Sequence, residues 1–501
     1  MVCHKIIILA VYIHESYKMI LAELFPYSRL VFTILYGITA VAIIGVVVSE
    51  NRNPVKTLAW ITVLVLLPVV GIVLYIFFGR SLRHVRMISR KKRLRLTGRD
   101  DIKHLMRGGQ VVRYDTSLSE RQQMINLVNS IQGSPYLPNN EVEIFTNGKD
   151  KFAAYKRDLL AAKRYIHIQY YIIENDKLGN EIAEILKQKV GEGVKVRVLY
   201  DHVGSFHFDM SYFKKLRKAG VDVYPFMKIT FPEFANRINW RNHRKITVID
   251  GEIGYIGGMN IADRYIDGGK MGHWRDTHLR VRGDVVAALQ VSFAIDWNFM
   301  KRELIEEPVA VVEPGSIERP VGMQLVTGGP TSQWVNMAFV FQKAIDSASK
   351  CIYIQTPYFL PSDSLLKSLQ VAAMSKVDVR LMIPRKPDSI LLRYASYSYV
   401  RQCLDAGIKI YFYEPGMLHS KVVVVDDDFV TTGSTNFDFR SFEHNFEGNV
   451  LVYSNDFNQR MKDVMLMDMQ QCSRISLRTW RKRPMWQKAL ESIVRLFGPL
   501  L

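Results

Sequence analysis

Cysteine is scarce in this chain. Cys3, Cys351, Cys403 and Cys472 are the only four in 501 residues, with no Cys-x-x-Cys pair and no Cys/His cluster. That argues against a disulfide framework and against a structural zinc site. Acid is also in short supply: 48 Asp and Glu stand against 67 Lys and Arg, a net charge of +19. Such an excess points to an anionic partner, either nucleic acid or an anionic membrane. Low-complexity tracts are missing. With 48% hydrophobic and 23% charged residues, the bulk is ordinary globular material, and there is too much of it for one domain.

Charge is absent from two neighbouring stretches, Leu30–Ser49 and Thr57–Phe78, separated only by Glu50–Lys56. Each is long enough to cross a hydrocarbon core as a helix, which takes ~20 apolar residues. Two such stretches side by side predict a two-helix transmembrane hairpin over residues 30–79, with Pro68 tolerable inside it. Acid is then absent from Arg80 to Arg99, where nine cations lie: Arg80, Arg83, Arg86, Arg90, Lys91, Lys92, Arg93, Arg95 and Arg99. The connecting loop has only Arg52 and Lys56 as cations. The positive-inside rule therefore puts the basic region and linker, residues 80–135, and all that follows in the cytoplasm. Two readings of the nine cations stay open: a plain topology signal, or contact with anionic headgroups. In the N-terminal segment, residues 1–29, Lys5 before Ile6–Ile13 is faintly like a signal peptide, but no cleavage site follows. Met19 reads equally well as a start of translation.

The rest is an internal repeat. Glu143-Ile-Phe-Thr-Asn-Gly-Lys149 returns as Gln324-Leu-Val-Thr-Gly-Gly-Pro330. Lys163–Tyr171 returns as Lys350–Tyr358, Val194–Leu199 as Val377–Met382, and Ala219–Tyr224 as Ala406–Tyr411. The order is kept at offsets of 181 to 187, which indicates two domain-sized copies, residues 136–312 and 320–480. Tyr165–Ile172, Ile352–Gln355, Val194–Tyr200 and Val377–Ile383 read as strands, and Asn180–Val190 and Ser364–Ala373 as helices. The fold class expected is α/β: two sandwich repeats related by a pseudo-twofold axis. The first copy has an extra stretch, Phe226–Asn242, with Phe231, Phe234, Arg237, Trp240 and Arg241, readable as a surface loop or as a wall beside a site.

Chemistry concentrates at the end of each copy. Asn242-His-Arg-Lys-Ile-Thr-Val-Ile-Asp250 matches Leu418-His-Ser-Lys-Val-Val-Val-Val-Asp426, both His-x-Lys-x-x-x-x-Asp. Gly257-Gly-Met-Asn260 and Gly433-Ser-Thr-Asn436 follow, His to Asn being seventeen positions in each, and then Asp276 and Glu447. One His-x-Lys means little; two copies with identical spacing inside an independent repeat mean much more. Alternate strand residues share a face, so His243 projects with Lys245, and His419 with Lys421. Pseudo-symmetric packing would bring both pairs to one cleft of imidazoles, ammonium groups and Asn amides. That set suits a phosphodiester. Cations and amides bind the non-bridging oxygens, one imidazole attacks phosphorus, and the other moves the proton. No metal or other cofactor is called for.

The duplicated motif resembles the phospholipase D superfamily, and nearly the whole chain is similar to its bacterial cardiolipin synthases. The resemblance rests on Asn51-Arg-Asn-Pro-Val-Lys56, Phe77-Phe78-Gly79-Arg80, Arg241-Asn-His-Arg-Lys245 and Arg495-Leu-Phe-Gly-Pro-Leu-Leu501; residues up to about Leu24 fall outside it. It implies one shared active site, with a phosphatidyl intermediate on one His, His243 being favoured, and acid–base work by the other. It implies phosphate binding by Lys245, Lys421, Asn260 and Asn436, His orientation by Asp276 and Glu447, and a largely structural role for the motif residues Asp250 and Asp426. The reaction implied is phosphatidyl transfer between two phosphatidylglycerols, giving cardiolipin and glycerol. The partners implied are anionic membrane lipids rather than nucleic acid. A phospholipase D hydrolase or another phosphatidyltransferase shares these motifs. A nuclease of the superfamily fits less well, because much of the positive surplus sits beside the apolar segments.

The tail, residues 481–501, predicts an amphipathic helix after the basic Trp480-Arg-Lys-Arg-Pro484. Trp486, Leu490, Ile493, Val494 and Phe497 fall at helical spacing. Packing on the second copy and contact with a membrane both remain open for this stripe.

Overall fold

The computed structural model describes residues 85–107, 119–205, 211–228, 239–313, 315–496 and 498, together with parts of 27–79. The chain divides into two compact units, Met1–Arg80 and Ser81–Leu501.

In the first unit, residues 33–45, Pro54–Leu66 and Val70–Leu74 are helical. The Tyr36 hydroxyl donates to the Leu64 carbonyl. Leu64 and Tyr75 are buried, with Ile43, Ile44, Trp60 and Ile72 packed around them. Outside this small cluster the unit is apolar and exposed: Leu35, Ile38, Val41, Leu58, Val65 and Leu66 all face outward. Among the described residues no helix is long and apolar enough to cross a membrane. Pro54–Leu66 has 13 residues, about 20 Å of helix against a hydrocarbon core of about 30 Å. The expected spans 30–49 and 57–78 lie partly outside the described residues, Pro68 included.

The second unit contains the repeat, seen directly in its sheets. The first sheet runs Asn140–Phe145, His278–Gly283, Ile253–Gly257, Ile246–Ile249, Tyr165–Tyr170, Lys195–Asp201, Asp222–Phe226 in spatial order. The second runs Gly322–Gly328, Glu447–Tyr453, Phe429–Gly433, Val422–Val425, Cys351–Gln355, Asp378–Pro384, Lys409–Tyr413, then one extra edge strand, Cys472–Ile475. The first seven positions correspond one to one, parallel and antiparallel pairings included.

The motif strands Ile246–Ile249 and Val422–Val425 are buried throughout, as unbroken apolar runs in a sheet covered on both faces should be. One apolar cluster joins the two repeats, drawing Ile246, Val248 and Leu279 from one sheet and Val422, Val424 and Val450 from the other. Helices cover the outer faces. Lys177–Gly191, for example, starts where the Asp176 carboxylate accepts the Gly179 N–H at 2.8 Å.

One expectation needs correction. Trp240 and Arg241 are not on an open wall. Trp240 is buried beside Phe226 and Phe446, and the Arg241 guanidinium meets Asp201 at 3.2 Å. Phe231, Phe234 and Arg237 lie outside the described residues. The basic run is partly engaged by its own unit. In the helix Arg90–Thr97, Lys92 donates to Asn298 and the Arg302 carbonyl, both at 2.8 Å, and Arg95 pairs with Glu306 at 2.5 Å. Arg93 reaches the Gln132 carbonyl at 3.2 Å, and Arg99 pairs with Asp101 at 2.6 Å. Four of the nine cations are thus engaged within this unit, Lys92 and Arg95 with the segment Asn298–Glu306, while Arg86, Arg90 and Lys91 are exposed.

Candidate active site

Each motif enters its strand by exchanging backbone hydrogen bonds with the other repeat. The His243 N–H donates to the Phe446 carbonyl at 2.9 Å, and the Phe446 N–H donates to the Arg241 carbonyl at 2.8 Å. On the other side Gly416–Leu418 pairs in parallel with His273–Arg275, and the His419 N–H donates to the Arg275 carbonyl at 2.7 Å. Phe446 precedes Glu447 and Arg275 precedes Asp276, so each His stands beside the acid of the opposite copy. His243 Nδ1 lies 2.9 Å from Glu447 Oε1, and His419 Nδ1 lies 2.6 Å from Asp276 Oδ2. The dyads are crossed. With Nδ1 held by the carboxylate, Nε2 is the ring nitrogen left for chemistry.

The set is deeply buried: both imidazoles are at most 8% exposed, and Lys245, Lys421, Asp276 and Glu447 at most 3%. Lys245 Nζ donates to the His243 carbonyl at 2.7 Å, and Lys421 Nζ to the His419 carbonyl. Burial pushes both ammonium groups down, Lys421 to about 8, against the pull of Asp276 and Glu447. Burial likewise lowers both imidazoles. The two halves feel each other: Lys421 depresses His243, and Lys245 depresses His419.

The two acids differ. Burial pushes the Asp276 carboxyl up to about 6 despite Lys421. Burial also works to raise Glu447, but His243, Lys245 and the Ser434 hydroxyl outweigh it and hold the carboxyl below its usual range. The turn before each acid matches its length. A side chain at Gly258 would put its Cβ 2.1 Å from Asp276 Oδ1, whereas Ser434, at the corresponding position, donates its hydroxyl to Glu447.

The other sequence-named residues are placed as follows. Asn260 is committed locally: its Oδ1 accepts the Ile172 N–H at 3.2 Å and its Nδ2 donates to the Tyr265 hydroxyl at 2.8 Å. Asn436 is buried, and its Oδ1 has no hydrogen-bond partner. Asp250 and Asp426 sit past the far ends of the motif strands. Asp250 accepts the N–H groups of Lys163, Arg164 and Tyr165 at 2.7 to 2.8 Å. Asp426 accepts those of Ser349, Lys350 and Cys351 at 2.7 to 2.8 Å. Among the described residues no group of three His, Cys, Asp or Glu side chains is placed to hold a metal ion.

Sequence reading missed a layer beneath the dyads. Arg244, the variable residue of the first motif, donates its Nε to the Glu447 carbonyl at 2.9 Å and its Nη1 to Asp296 at 2.5 Å. Arg275 donates its Nη1 to the Asp276 carbonyl at 2.7 Å and its Nε to Asp468 at 3.0 Å. Both Asp residues also accept a strand glutamine: Gln169 on Asp296 at 2.5 Å, Gln355 on Asp468 at 2.8 Å. Each dyad acid therefore has its backbone held by an Arg–Asp–Gln brace. The two arginines come from unrelated motif positions. Ser420 replaces Arg in the second motif and shares a hydrogen bond with Thr277 at 2.8 Å, and Phe446 stands where Arg275 stands in the other copy. The missed signal was an arginine at the entrance of a buried strand, which must find a buried acid.

Fold and site define a class: a duplicated α/β protein in which each half completes the other's imidazole–carboxylate pair, with two buried ammonium groups beside them. The chain belongs to the family described as cardiolipin synthase, PLD-like domain, which matches residues 155–280 and 341–469. The phospholipase D-nuclease N-terminal family matches residues 35–80. Cardiolipin synthase 2 of Bacillus anthracis is 41% identical over 476 residues, 93% of this chain and 91% of that one. A cardiolipin synthase of Halalkalibacterium halodurans is 38% identical over 477 residues, 94% of each chain. The crystal structure of a phosphatidylserine synthase from Haemophilus influenzae Rd KW20 shares the fold, with a TM-score of 0.59 at 13% identity over 75% of this chain and 98% of that chain.

Proposed function

We propose that the protein is a cardiolipin synthase that transfers a phosphatidyl group from one phosphatidylglycerol to another. The observation that carries this reading is the crossed pair of dyads in a chain whose relatives are named cardiolipin synthases. His243 Nε2 attacks phosphorus while Glu447 accepts its Nδ1–H. His419, entering the cycle as the imidazolium with its Nδ1–H held by Asp276, gives its Nε2 proton to the departing glycerol oxygen. The phosphatidyl group now rests on His243. The same His419 then takes the proton from the free glycerol hydroxyl of a second phosphatidylglycerol, whose oxygen attacks phosphorus and releases His243. Lys245 and Lys421 stabilise the charge on the non-bridging oxygens; each ammonium has donors to spare beyond its carbonyl contact.

The substrates reside in a bilayer, and the first unit supplies the attachment in this reading. Its exposed apolar residues, its match to the N-terminal family and the basic run after it support a cell-membrane hairpin with the catalytic unit on the cytoplasmic face. The test is lipid analysis of a cardiolipin-free host expressing the chain. Cardiolipin is expected from the native chain and from neither His243→Ala nor His419→Ala. Phosphatidic acid without cardiolipin would make it a hydrolase.

A further inference from the structure

The C-terminal helix is apolar on two faces, and only one of them is used by the fold. On Met485–Leu496 the inner face places Val494 in the core cluster of the second repeat with Leu490 packed against it, while Glu491 is buried against Arg483. The outer face consists of Met485, Trp486, Ala489, Ser492, Ile493 and Leu496, all exposed and none charged. Trp486 is 63% exposed, Ile493 55% and Leu496 78%. A helix that only covers a core should carry charge there.

The end of the helix leads towards the site. The helix packs on Ile390–Asp405, with the Arg495 guanidinium 4.4 Å from the centre of the Tyr399 ring. Arg481, just before the helix, reaches Asp405 at 3.5 Å, so the two helices run antiparallel and the tail advances towards Ile390. Gly498 lies against Leu360, which is two residues from Tyr358. The Tyr358 hydroxyl donates to Asp388 at 2.5 Å, and the Asp388 charge is felt by both His419 and Lys421. Two residues after Asp388, Ile390 is 70% exposed, and Leu391 is exposed beside it. The surroundings are basic: from Arg474 to Arg495 there are seven Lys and Arg against the single acid Glu491, which Arg483 neutralises. Arg474, Arg478, Arg481 and Lys482 are exposed.

We infer that the outer face of Met485–Leu496, with the Ile390–Leu391 turn, inserts into an anionic phospholipid surface and sets the active-site mouth at headgroup depth. The inference rests on the proposed function, which requires lipid to enter from a bilayer. Uncharged side chains with a Trp, ringed by cations, are what an interfacial helix presents to such a surface. A second copy of the chain, or the chain's own first unit, would be the competing occupants.

The test uses the full chain reconstituted into vesicles of phosphatidylglycerol and phosphatidylcholine. The difference in fluorescence between the native chain and Trp486→Phe isolates one tryptophan. That signal is expected to be quenched by lipids brominated on the acyl chain near the headgroup. Trp486→Glu with Ile493→Glu is expected to cut cardiolipin formation on vesicles roughly tenfold, with unchanged melting temperature and unchanged turnover of detergent-dispersed substrate. A Trp486 signal insensitive to brominated lipid overturns the inference and assigns the face to a protein occupant. Quenching without cardiolipin formation in either system would leave the docking face standing and overturn the proposed function instead.

Discussion

At the scale of single residues, the crossed dyads depend on arginines that touch no reacting atom. Arg244 spans the Glu447 carbonyl, Asp296 and the Gly328 carbonyl at once. A lysine keeps the charge but has no planar fork to hold three acceptors. Arg244→Lys and Arg275→Lys are expected to lower kcat up to about a hundredfold, the cost of a misplacement of about 1 Å, while KM moves little. A rise in KM that matches the fall in kcat/KM, with kcat unchanged, would mean that the arginines bind substrate. Asp276 adds a pH signature. Its carboxyl, pushed up to about 6 by burial, must be ionised to accept from His419, whereas Glu447 is held low. Activity is therefore expected to fall as pH drops through about 6, an apparent value belonging to the His419–Asp276 pair. Glu447 contributes no limb in that range. A rate profile level down to pH 5 would place the controlling ionisation elsewhere.

At the scale of elements, the last residue of each motif belongs to the architecture. Asp250 and Asp426 adopt left-handed backbone, with φ of 52° and 49°, and each gathers the N–H groups that open the neighbouring strand. Asp426→Ala forfeits these bonds and strains the turn. A loss of about 2–4 kcal/mol in unfolding free energy is expected, with turnover per folded molecule nearly unchanged. Burial works to raise Asp426, but the backbone N–H groups outweigh it and hold the carboxyl below its ordinary range. That stabilisation is present above about pH 4 and fades as pH falls through the lower native value. The difference between native chain and variant should narrow accordingly in acid melts.

The same elements show what a sequence can and cannot reveal. The repeat was legible from pieces that keep their order at offsets of 181 to 187, and the unbroken runs Ile246–Ile249 and Val422–Val425 because a strand buried on both faces leaves no polar position. The dyad residues were legible because both copies repeat them. The crossing was not, since spacing within a copy says nothing about which acid meets which imidazole. The brace was hidden for a related reason. The duplication conserved its geometry but not its positions, so comparing the copies makes Arg244 and Arg275 look like unshared noise. Asn260 was legible by its repeat position, but the contacts of its amide with Ile172 and Tyr265 were not, since both partners lie outside the repeated motif.

At the scale of the whole molecule, the exchange has a consequence for assembly. Every bond that crosses the dyads lies within one compact unit: His243 to Phe446, Phe446 to Arg241, His419 to Arg275, and the parallel pair Gly416–Leu418 with His273–Arg275. The shared apolar cluster couples the sheets through Ile246, Val248, Val422 and Val424. Separating the repeats would expose those side chains and leave the Glu447 and Asp276 carboxyls without their imidazoles. Two chains that exchanged repeats would have to break that cluster first. One chain therefore builds one complete site. Co-reconstituting His243→Ala with His419→Ala in the same vesicles is expected to give no more cardiolipin than the two variants assayed apart. Recovery of activity on mixing would mean that the repeats trade partners between chains, since a chain carrying His243 and a chain carrying His419 would then have assembled an intact pair. His243→Ala mixed with Asp276→Asn provides the matching control, because both lesions lie in the first repeat and no exchange of repeats can restore an intact site.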